Sequence, residues 1–188
     1  MKKLLNAARE VFFEVGFEKT TIAQIIKQAK TGYGTAYVHF KGKDDILIML
    51  MENVMKEFLD LVETPYKPSS KEEAKQLVLK QVSSFLNMAK TNKNIMKVFS
   101  DAIGLSPSVN KKWDEIRQAN IYFITKDITY AQNKGLARTD LKAELVARSW
   151  FFTNENYQWD IVRDATSETL EEIAWTITTM YIDGLYLD

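Results

Sequence analysis

The sequence predicts an all-α protein of about nine helices and no strand. Only 7 glycines and 3 prolines occur among 188 residues, well below the roughly 12% that the two contribute on average. So few chain breakers favour long helices. Apolar residues recur at spacings of three and four along most of the chain, as they do on helices with one buried face. Hydrophobic residues make up 46% of the chain and charged residues 27%, which is enough apolar material for a packed core.

The first half of the chain predicts four helices. Apolar residues on one helical face begin at Leu4 and end before Gly16. Thr20 and Thr21 are suitable caps for a second, short helix, and the two glycines within residues 30–34 indicate a turn. The expected helices cover residues 4–15, 22–29, 35–40 and 44 to about Pro65.

The second half predicts five more helices after a linker at residues 66–70, namely 72–89, 95–103, 106–133, 141–163 and 168–183. The last two carry more apolar surface than one chain of this size covers. We therefore expect a homodimer in which they pack across a two-fold axis; a central helix in a thick monomeric bundle is the alternative. The expected interface residues are Leu145, Phe152, Trp159, Leu170, Ile173, Ile177, Met180 and Tyr181.

The composition disfavours an enzyme. The chain has no cysteine and a single histidine, His39, so thiolate sites, disulfides and multi-histidine metal sites are excluded. A histidine-based catalytic triad would have to use His39. We expect no catalytic residues, no metal and no cofactor.

The chain shows no membrane or export signal. Its longest aliphatic run, residues 46–51, is far shorter than the roughly 20 residues of a membrane-spanning helix. The N-terminus runs straight into an amphipathic pattern and does not resemble a signal peptide. We expect a soluble cytoplasmic protein with no membrane partner.

The formal net charge is zero, yet the charges are unevenly distributed. Residues 1–50 carry eight basic and five acidic side chains, whereas the remainder carries 17 and 20. Asymmetry of this kind is a hint, here a weak one, of a nucleic-acid surface at the basic end.

The first 45 residues predict a helix-turn-helix, whose second short helix enters the DNA major groove. Ala36 and Phe40 would face the first helix. Three short amphipathic helices also occur in small bundles that bind no DNA. The outward face of the second short helix has no acidic residue and is followed by Lys41 and Lys43; it carries Tyr33, Thr35, Tyr37 and His39.

Three segments carry a more specific resemblance: residues 6–17 (NAAREVFFEVGF), 20–25 (TTIAQI) and 34–47 (GTAYVHFKGKDDIL). In this order they resemble the N-terminal domain of the TetR/AcrR family of transcriptional regulators. The resemblance implies a three-helix DNA-binding head at residues 1–45 and a larger helical effector-binding and dimerisation body at residues 46–188. It covers about a quarter of the chain.

The resemblance also implies DNA contacts. Thr21 would cap its helix and offer a backbone N–H to a phosphate, Lys43 would anchor a phosphate, and Tyr33 would contact bases. Core packing is the alternative for Tyr37. The full implied set is Thr21, Thr31, Tyr33, Thr35, Tyr37, His39 and Lys43.

The chain departs from the family in the turn. The family usually has glycine, a hydrophobe and a serine there, whereas this chain has Lys30, Thr31 and Gly32. A lysine in a left-handed turn costs about 1 kcal/mol relative to glycine. Gly32 lacks the serine hydroxyl, for which Thr31 is a possible substitute, and Ala23 stands where many relatives have arginine. The operator sequence therefore cannot be taken from a relative.

In this family the body binds a small effector that changes the spacing of two DNA-reading heads. We expect an apolar or aromatic, weakly charged effector; a cationic molecule bound through Glu155 is the alternative. For each aromatic residue, ordinary core packing is the alternative. Asn154 is the sharper candidate because an amide in an apolar helix needs partners. The candidate lining is Phe99, Trp113, Tyr122, Phe123, Trp150, Phe151, Asn154 and Tyr157.

The sequence thus predicts a homodimeric transcriptional repressor whose partners are a double-stranded DNA operator and a small-molecule effector. The alternative is a helical ligand-binding or scaffold protein with a degenerate DNA-binding head, which the altered turn at residues 30–32 suggests.

Overall fold

The computed structural model describes residues 1–62 and 66–187, apart from the side chains of residues 57, 58 and 60–62. Pro65, where the fourth helix was expected to end, lies outside the described residues. The described chain is all-α, which confirms the predicted fold class, and one isolated antiparallel bridge joins Ala137 to Tyr186. Its nine helices are α1 (Lys2–Lys19), α2 (Ile22–Ala29), α3 (Tyr33–His39), α4 (Lys43–Val62), α5 (Lys71–Thr91), α6 (Lys93–Leu105), α7 (Pro107–Asn133), α8 (Ala143–Arg163) and α9 (Leu170–Leu185).

The chain divides into two compact units. The N-terminal unit comprises residues 1–56 and 92–115, and the C-terminal unit comprises residues 57–91 and 116–188. The N-terminal unit includes α6 because α6 packs against α1, where its apolar side chains, Phe99 among them, are buried. The boundary at residue 45 between a DNA-binding head and an effector-binding body stays a prediction. Helix α6 begins 48 residues after the end of the predicted head, and periodicity alone does not indicate this contact.

Gly16 interrupts α1 without ending it. Its φ of 77° lies in the left-handed region, which glycine adopts without a steric penalty, and the chain then continues as helix to Lys19. The resulting bend buries Phe17, whose ring stacks on that of Phe12 at 6.1 Å between centroids. The predicted helix end at Gly16 is therefore a kink.

The turn between α2 and α3 is shorter than expected. Lys30 caps the C-terminus of α2 in the left-handed conformation, with φ 50° and ψ 45°, as its position in the turn predicted. Gly32 is the N-cap of α3, so Tyr33 and Gly34 are helical and not part of the turn. The side chain of Tyr33 is therefore held on the same helix as those of Thr35, Tyr37 and His39.

In the C-terminal unit, α5 packs against both α8 and α9. Its buried face includes Val82 and Phe85, while Phe151 of α8 and Ile173 and Ile177 of α9 are also buried. None of the helices in the described ranges has an apolar stretch long enough to cross a lipid bilayer.

Candidate nucleic-acid interface and ligand cavity

Helix α3 presents almost its entire surface to solvent. Ala36 and, at its C-cap, Phe40 are buried and attach it to the unit. Every other residue of α3 is exposed, including Val38, which is 79% exposed. A seven-residue helix so exposed keeps its position through these two anchors, and its outer face is available to a partner.

The outer face of α3 is aromatic. Tyr33 and Tyr37 lie one helical turn apart, and their rings stack with 6.4 Å between centroids and 16° between planes. His39 and Thr35 are exposed on the same short helix. Tyrosine hydroxyls, a threonine hydroxyl and an imidazole all form hydrogen bonds, and none of them carries a negative charge that would repel phosphate.

The predicted phosphate anchor Lys43 has a structural role as well. Its Nζ donates hydrogen bonds to the carbonyl oxygens of Phe17 at 2.7 Å and Glu18 at 2.9 Å, and it lies 4.5 Å from the centre of the Phe17 ring. This lysine therefore links the end of α1 to the start of α4. An ammonium group has three N–H donors, so one remains for a phosphate.

Thr21 caps α2, as the sequence predicted. Its Oγ1 accepts a hydrogen bond from the Gln24 backbone N–H at 3.3 Å, and the Gln24 Oε1 accepts one from the Thr21 N–H at 2.7 Å. Thr31 is different, because its Oγ1 is buried and has no hydrogen-bond partner. In this conformation the Thr31 hydroxyl does not reach the surface, so a phosphate contact from it requires rotation of the side chain.

Basic residues that sequence reasoning did not select flank α3 on both sides. Lys2 and Lys3 line a shallow depression together with Thr35 and His39. Lys27 and Lys30 line a second depression together with Tyr33. The amphipathic pattern placed these lysines on solvent faces, and only the fold brings them beside the recognition residues.

The C-terminal unit contains a cavity whose lining is mostly apolar. Its cavity volume is about 40 Å³, so a ligand larger than one or two water molecules fits only when the lining side chains move. Pockets for small molecules have this character, with apolar walls and a few polar groups that fix orientation. The lining residues are Gln81, Val82, Phe85, Asn120, Ile124, Trp150, Phe151 and Asn154.

Three of the eight predicted ligand residues, Trp150, Phe151 and Asn154, meet at this cavity. Phe99 and Trp113 do not, because they are fully buried in the core of the N-terminal unit. The other three belong to the C-terminal unit but do not line the cavity: Tyr122 is exposed, and Phe123 and Tyr157 are half-buried. Sequence reasoning missed Asn120, whose only signal was an amide within an amphipathic helix.

Two buried polar groups lie near the cavity on α8. Glu155 is paired with Arg117, whose Nε lies 2.8 Å from Oε1 and 3.1 Å from Oε2. Gln158, one turn beyond Asn154, is fully buried, and neither its Oε1 nor its Nε2 has a hydrogen-bond partner. The ion pair is neutral as a whole, so this part of α8 adds polarity to the unit without adding net charge.

Burial also changes the acidity of groups elsewhere in the C-terminal unit. It raises the pKa of the Asp127 carboxyl to about 7, partly offset by the nearby Lys126 ammonium. The hydroxyls of Tyr66 and Tyr186 share a hydrogen bond of 2.5 Å, and burial raises the pKa of both phenols, that of Tyr186 to about 12. Tyr181, which stacks on Trp150 at 4.2 Å between centroids, also has a raised pKa because it is buried. All three phenols are therefore neutral near pH 7.

The predicted dimer residues separate into two groups. Leu145, Phe152 and Met180 are exposed, by 61%, 41% and 73%. Leu170 is half-buried. The remaining four point into their own unit: Ile173, Ile177 and Trp159 are buried, and Tyr181 stacks on Trp150. Ile173 and Ile177 of the α9 stripe are thus buried within their own unit, where α5 packs against α9, whereas Met180 of the same stripe is exposed.

Comparisons with known proteins agree with this architecture. Residues 4–50 match the family described as bacterial regulatory proteins, tetR family. The fatty acid metabolism regulator protein of Bacillus subtilis (strain 168) is 24% identical over 185 residues, which cover 98% of this chain and 94% of that protein.

Solved structures share the whole fold. The structure of a SmeT–triclosan complex superposes with a TM-score of 0.80 at 18% identity and covers 100% of this chain and 91% of that one. A fatty acid degradation regulator from Bacillus halodurans gives a TM-score of 0.76 at 20% identity and covers 97% and 94%. The Bacillus subtilis and Bacillus halodurans proteins are both named as regulators and not as enzymes.

Proposed function

Because the chain belongs to the TetR family of bacterial transcriptional regulators, we propose that it is a homodimeric repressor, released from its operator by a small apolar or aromatic effector. A protein that regulates transcription works beside its operator, so we place it in the cytoplasm. The proposal has three parts: DNA binding by α3, dimerisation through α8 and α9, and effector binding in the C-terminal unit.

The observation that carries the DNA-binding part is the surface of α3. Its exposed side chains include Tyr33, Thr35, Tyr37 and His39, and none of its seven residues is acidic. The helix is held by buried Ala36 and Phe40 and is flanked by lysines. A short, rigid, protruding helix with polar tips and basic neighbours suits the major groove, where side chains meet base edges and lysines meet phosphates.

The dimer part rests on exposed apolar side chains at Leu145, Phe152 and Met180. The guanidinium of Arg148 lies over the Phe152 ring, 5.8 Å from its centre, so this ring has a charged neighbour. Recognition helices of a dimer must lie about 34–36 Å apart to reach successive major grooves. Two linked heads satisfy this requirement, and a single head with a formal charge of about +3 binds weakly.

The effector part rests on the cavity, whose walls include Val82, Phe85, Trp150 and Phe151. Apolar walls favour an apolar or aromatic molecule. One relative is named for fatty acid metabolism, and one structural neighbour was solved in complex with triclosan. Both names refer to apolar molecules. An effector acts by binding more tightly to the state that does not fit the operator.

DNA binding by the full chain tests the proposal. The probe is the promoter fragment beside its own gene, titrated by fluorescence anisotropy between 50 and 200 mM salt. We expect the logarithm of the affinity to fall with the logarithm of the salt concentration with a slope of several units, and Tyr37→Ala to weaken binding about tenfold. Tyr122→Ala, which removes an exposed tyrosine of the C-terminal unit, is the control and should leave DNA affinity unchanged. Absence of binding to this and every other genomic fragment would contradict the proposal and favour a ligand-binding or scaffold protein.

A further inference from the structure

Asn120 of α7 and Asn154 of α8 line the same cavity and are bonded in the same way. The Asn120 Nδ2 donates to the Ile116 carbonyl oxygen at 2.8 Å, and the Asn154 Nδ2 donates to the Trp150 carbonyl oxygen at 2.8 Å. A carbonyl oxygen only accepts hydrogen bonds, so these contacts fix which end of each amide is nitrogen. The remaining end of each side chain is therefore the acceptor, Oδ1.

Neither Oδ1 receives a hydrogen bond from any residue that the structure describes. Asn120 is 2% exposed and Asn154 is 7% exposed. Neither oxygen is among the fully buried side-chain atoms without a partner, so each keeps accessible surface, to which a water molecule or a ligand in the cavity can donate a hydrogen bond. The cavity that both residues line is where such a donor fits.

The charges of the residues that line the cavity limit the class of ligand further. Its eight lining residues are all neutral, and Arg117, one turn before Asn120, has its Nε on the Glu155 carboxylate. A carboxylate ligand would lose its hydration and find no unpaired cation among the lining residues, where only the Gln81 amide and the Trp150 indole carry a side-chain nitrogen that is not already bonded to a backbone carbonyl. A neutral ligand with a hydroxyl or N–H group replaces the hydrogen bond that it made to water with one to an asparagine Oδ1.

We propose that Asn120 and Asn154 select an uncharged apolar or aromatic molecule that carries a hydrogen-bond donor, and that the site discriminates against carboxylates. This inference rests on the proposed function, because it specifies the effector class of the same cavity. The two amides recognise the donor, while Val82, Phe85 and Phe151 receive the apolar body.

Three matched probes test the inference on the full chain: 4-propylphenol, 4-propylanisole and 4-propylbenzoate, titrated by isothermal calorimetry at pH 7.5 without DNA. All three carry one aromatic ring and one propyl chain. The phenol adds a hydroxyl that donates a hydrogen bond, the anisole carries the methylated form of that hydroxyl, and the benzoate carries an anionic carboxylate. We expect the phenol to bind about tenfold more tightly than the anisole, the scale of one well-formed hydrogen bond, and the benzoate to bind most weakly.

Variants assign the preference to the amides. Asn154→Leu and Asn120→Leu, each similar in size to the wild type, should bring the ratio of phenol to anisole affinity to about one. Asn87→Leu is the matched control: its Nδ2 also donates to a carbonyl four residues earlier, at 2.8 Å from Ser83, but it is exposed. It should keep the wild-type ratio. Circular dichroism and thermal unfolding check that each variant folds.

Several results would overturn the inference, and the first three need no variant. They are a phenol-to-anisole ratio near one in the wild type, benzoate binding as tight as that of the phenol, and no binding of any probe up to millimolar concentration. The fourth is an unchanged ratio in both folded leucine variants. The DNA-binding titration is separate from these measurements, so a protein that binds DNA without the predicted ligand preference contradicts only this inference.

Discussion

Lys30 illustrates a single residue whose conformation and charge have opposite effects. Its φ of 50° and ψ of 45° place a side chain in the left-handed region, which glycine occupies without a steric penalty. The same lysine lines a depression with Lys27 and Tyr33 beside the recognition helix. In the proposed DNA interface the charge of this side chain favours phosphate binding, a gain that would offset the cost of the backbone strain.

Replacing Lys30 separates the two effects. We expect Lys30→Gly to raise the free energy of unfolding by about 0.5–1 kcal/mol because it relieves the left-handed strain. It should also weaken DNA binding and lower the salt slope by about one unit for each phosphate that the protein no longer neutralises. Lys30→Ala is the control, since it removes the same charge but keeps a Cβ, and should give the DNA effect without the stabilisation. Urea unfolding and salt-dependent anisotropy measure both; equal stabilisation by glycine and alanine would contradict the strain argument.

Single residues also mark the limit of sequence reasoning. The position of Lys30 in a turn predicted its conformation, because turn geometry is local. The burial of the Thr31 hydroxyl and the shared cavity of Asn120 and Asn154 could not be predicted in this way. The first depends on a side-chain rotamer, and the second depends on which helices pack together. Neither property follows from the sequence of a few neighbouring residues.

At the scale of helices, hydrophobic periodicity predicted all nine helices of the described chain. It did not predict which neighbouring helix packs against the apolar face of each one. An apolar stripe on α9 indicates a buried face, and Ile173 and Ile177 of that stripe are buried within their own unit, where α5 packs against α9, whereas Met180 is exposed. The sequence assigned that stripe to a second subunit because hydrophobic spacing is the same for a core and for an interface. Phe99 of α6 and Trp113 of α7 are similar: their apolar character was recognised, but their place in the N-terminal core required the fold.

Two helices begin with the same capping arrangement and so provide a matched pair. Thr21 and Gln24 cap α2, and Thr169 and Glu172 cap α9, each through a threonine Oγ1 on the backbone N–H three residues later. We expect Thr21→Ala and Thr169→Ala each to lower the free energy of unfolding by about 1 kcal/mol. Only Thr21→Ala should weaken DNA binding, because α2 supports the proposed interface. Thr→Ser at either position keeps the cap and should restore stability; an equal loss of DNA affinity in Thr169→Ala would contradict the separation.

At the scale of the whole molecule, the balanced charge of the chain conceals a division of roles. The first 50 residues have three more basic than acidic side chains, and the remainder has the reverse. The basic excess surrounds α3, where Lys2, Lys3, Lys27 and Lys30 lie beside the recognition residues. An excess of three charges gives modest affinity for DNA. If the chain acts as the proposed dimeric repressor, high affinity requires two copies on one operator, and DNA binding and dimerisation should be lost together.

A charged substitution in the proposed dimer surface tests this coupling. We expect the wild type to sediment at twice the chain mass of 21.7 kDa. We expect Phe152→Glu to sediment as a monomer because the interface would desolvate its carboxylate, a cost that pairing with Arg148 one turn earlier offsets only in part. Its DNA affinity should fall about 100-fold or more, the loss expected when two linked sites become independent. Leu105→Glu, at a residue of similar exposure on α6 in the N-terminal unit, should remain dimeric and bind DNA normally. A monomeric Phe152→Glu with wild-type DNA affinity would refute the coupling, and a dimeric Phe152→Glu would refute the proposed surface.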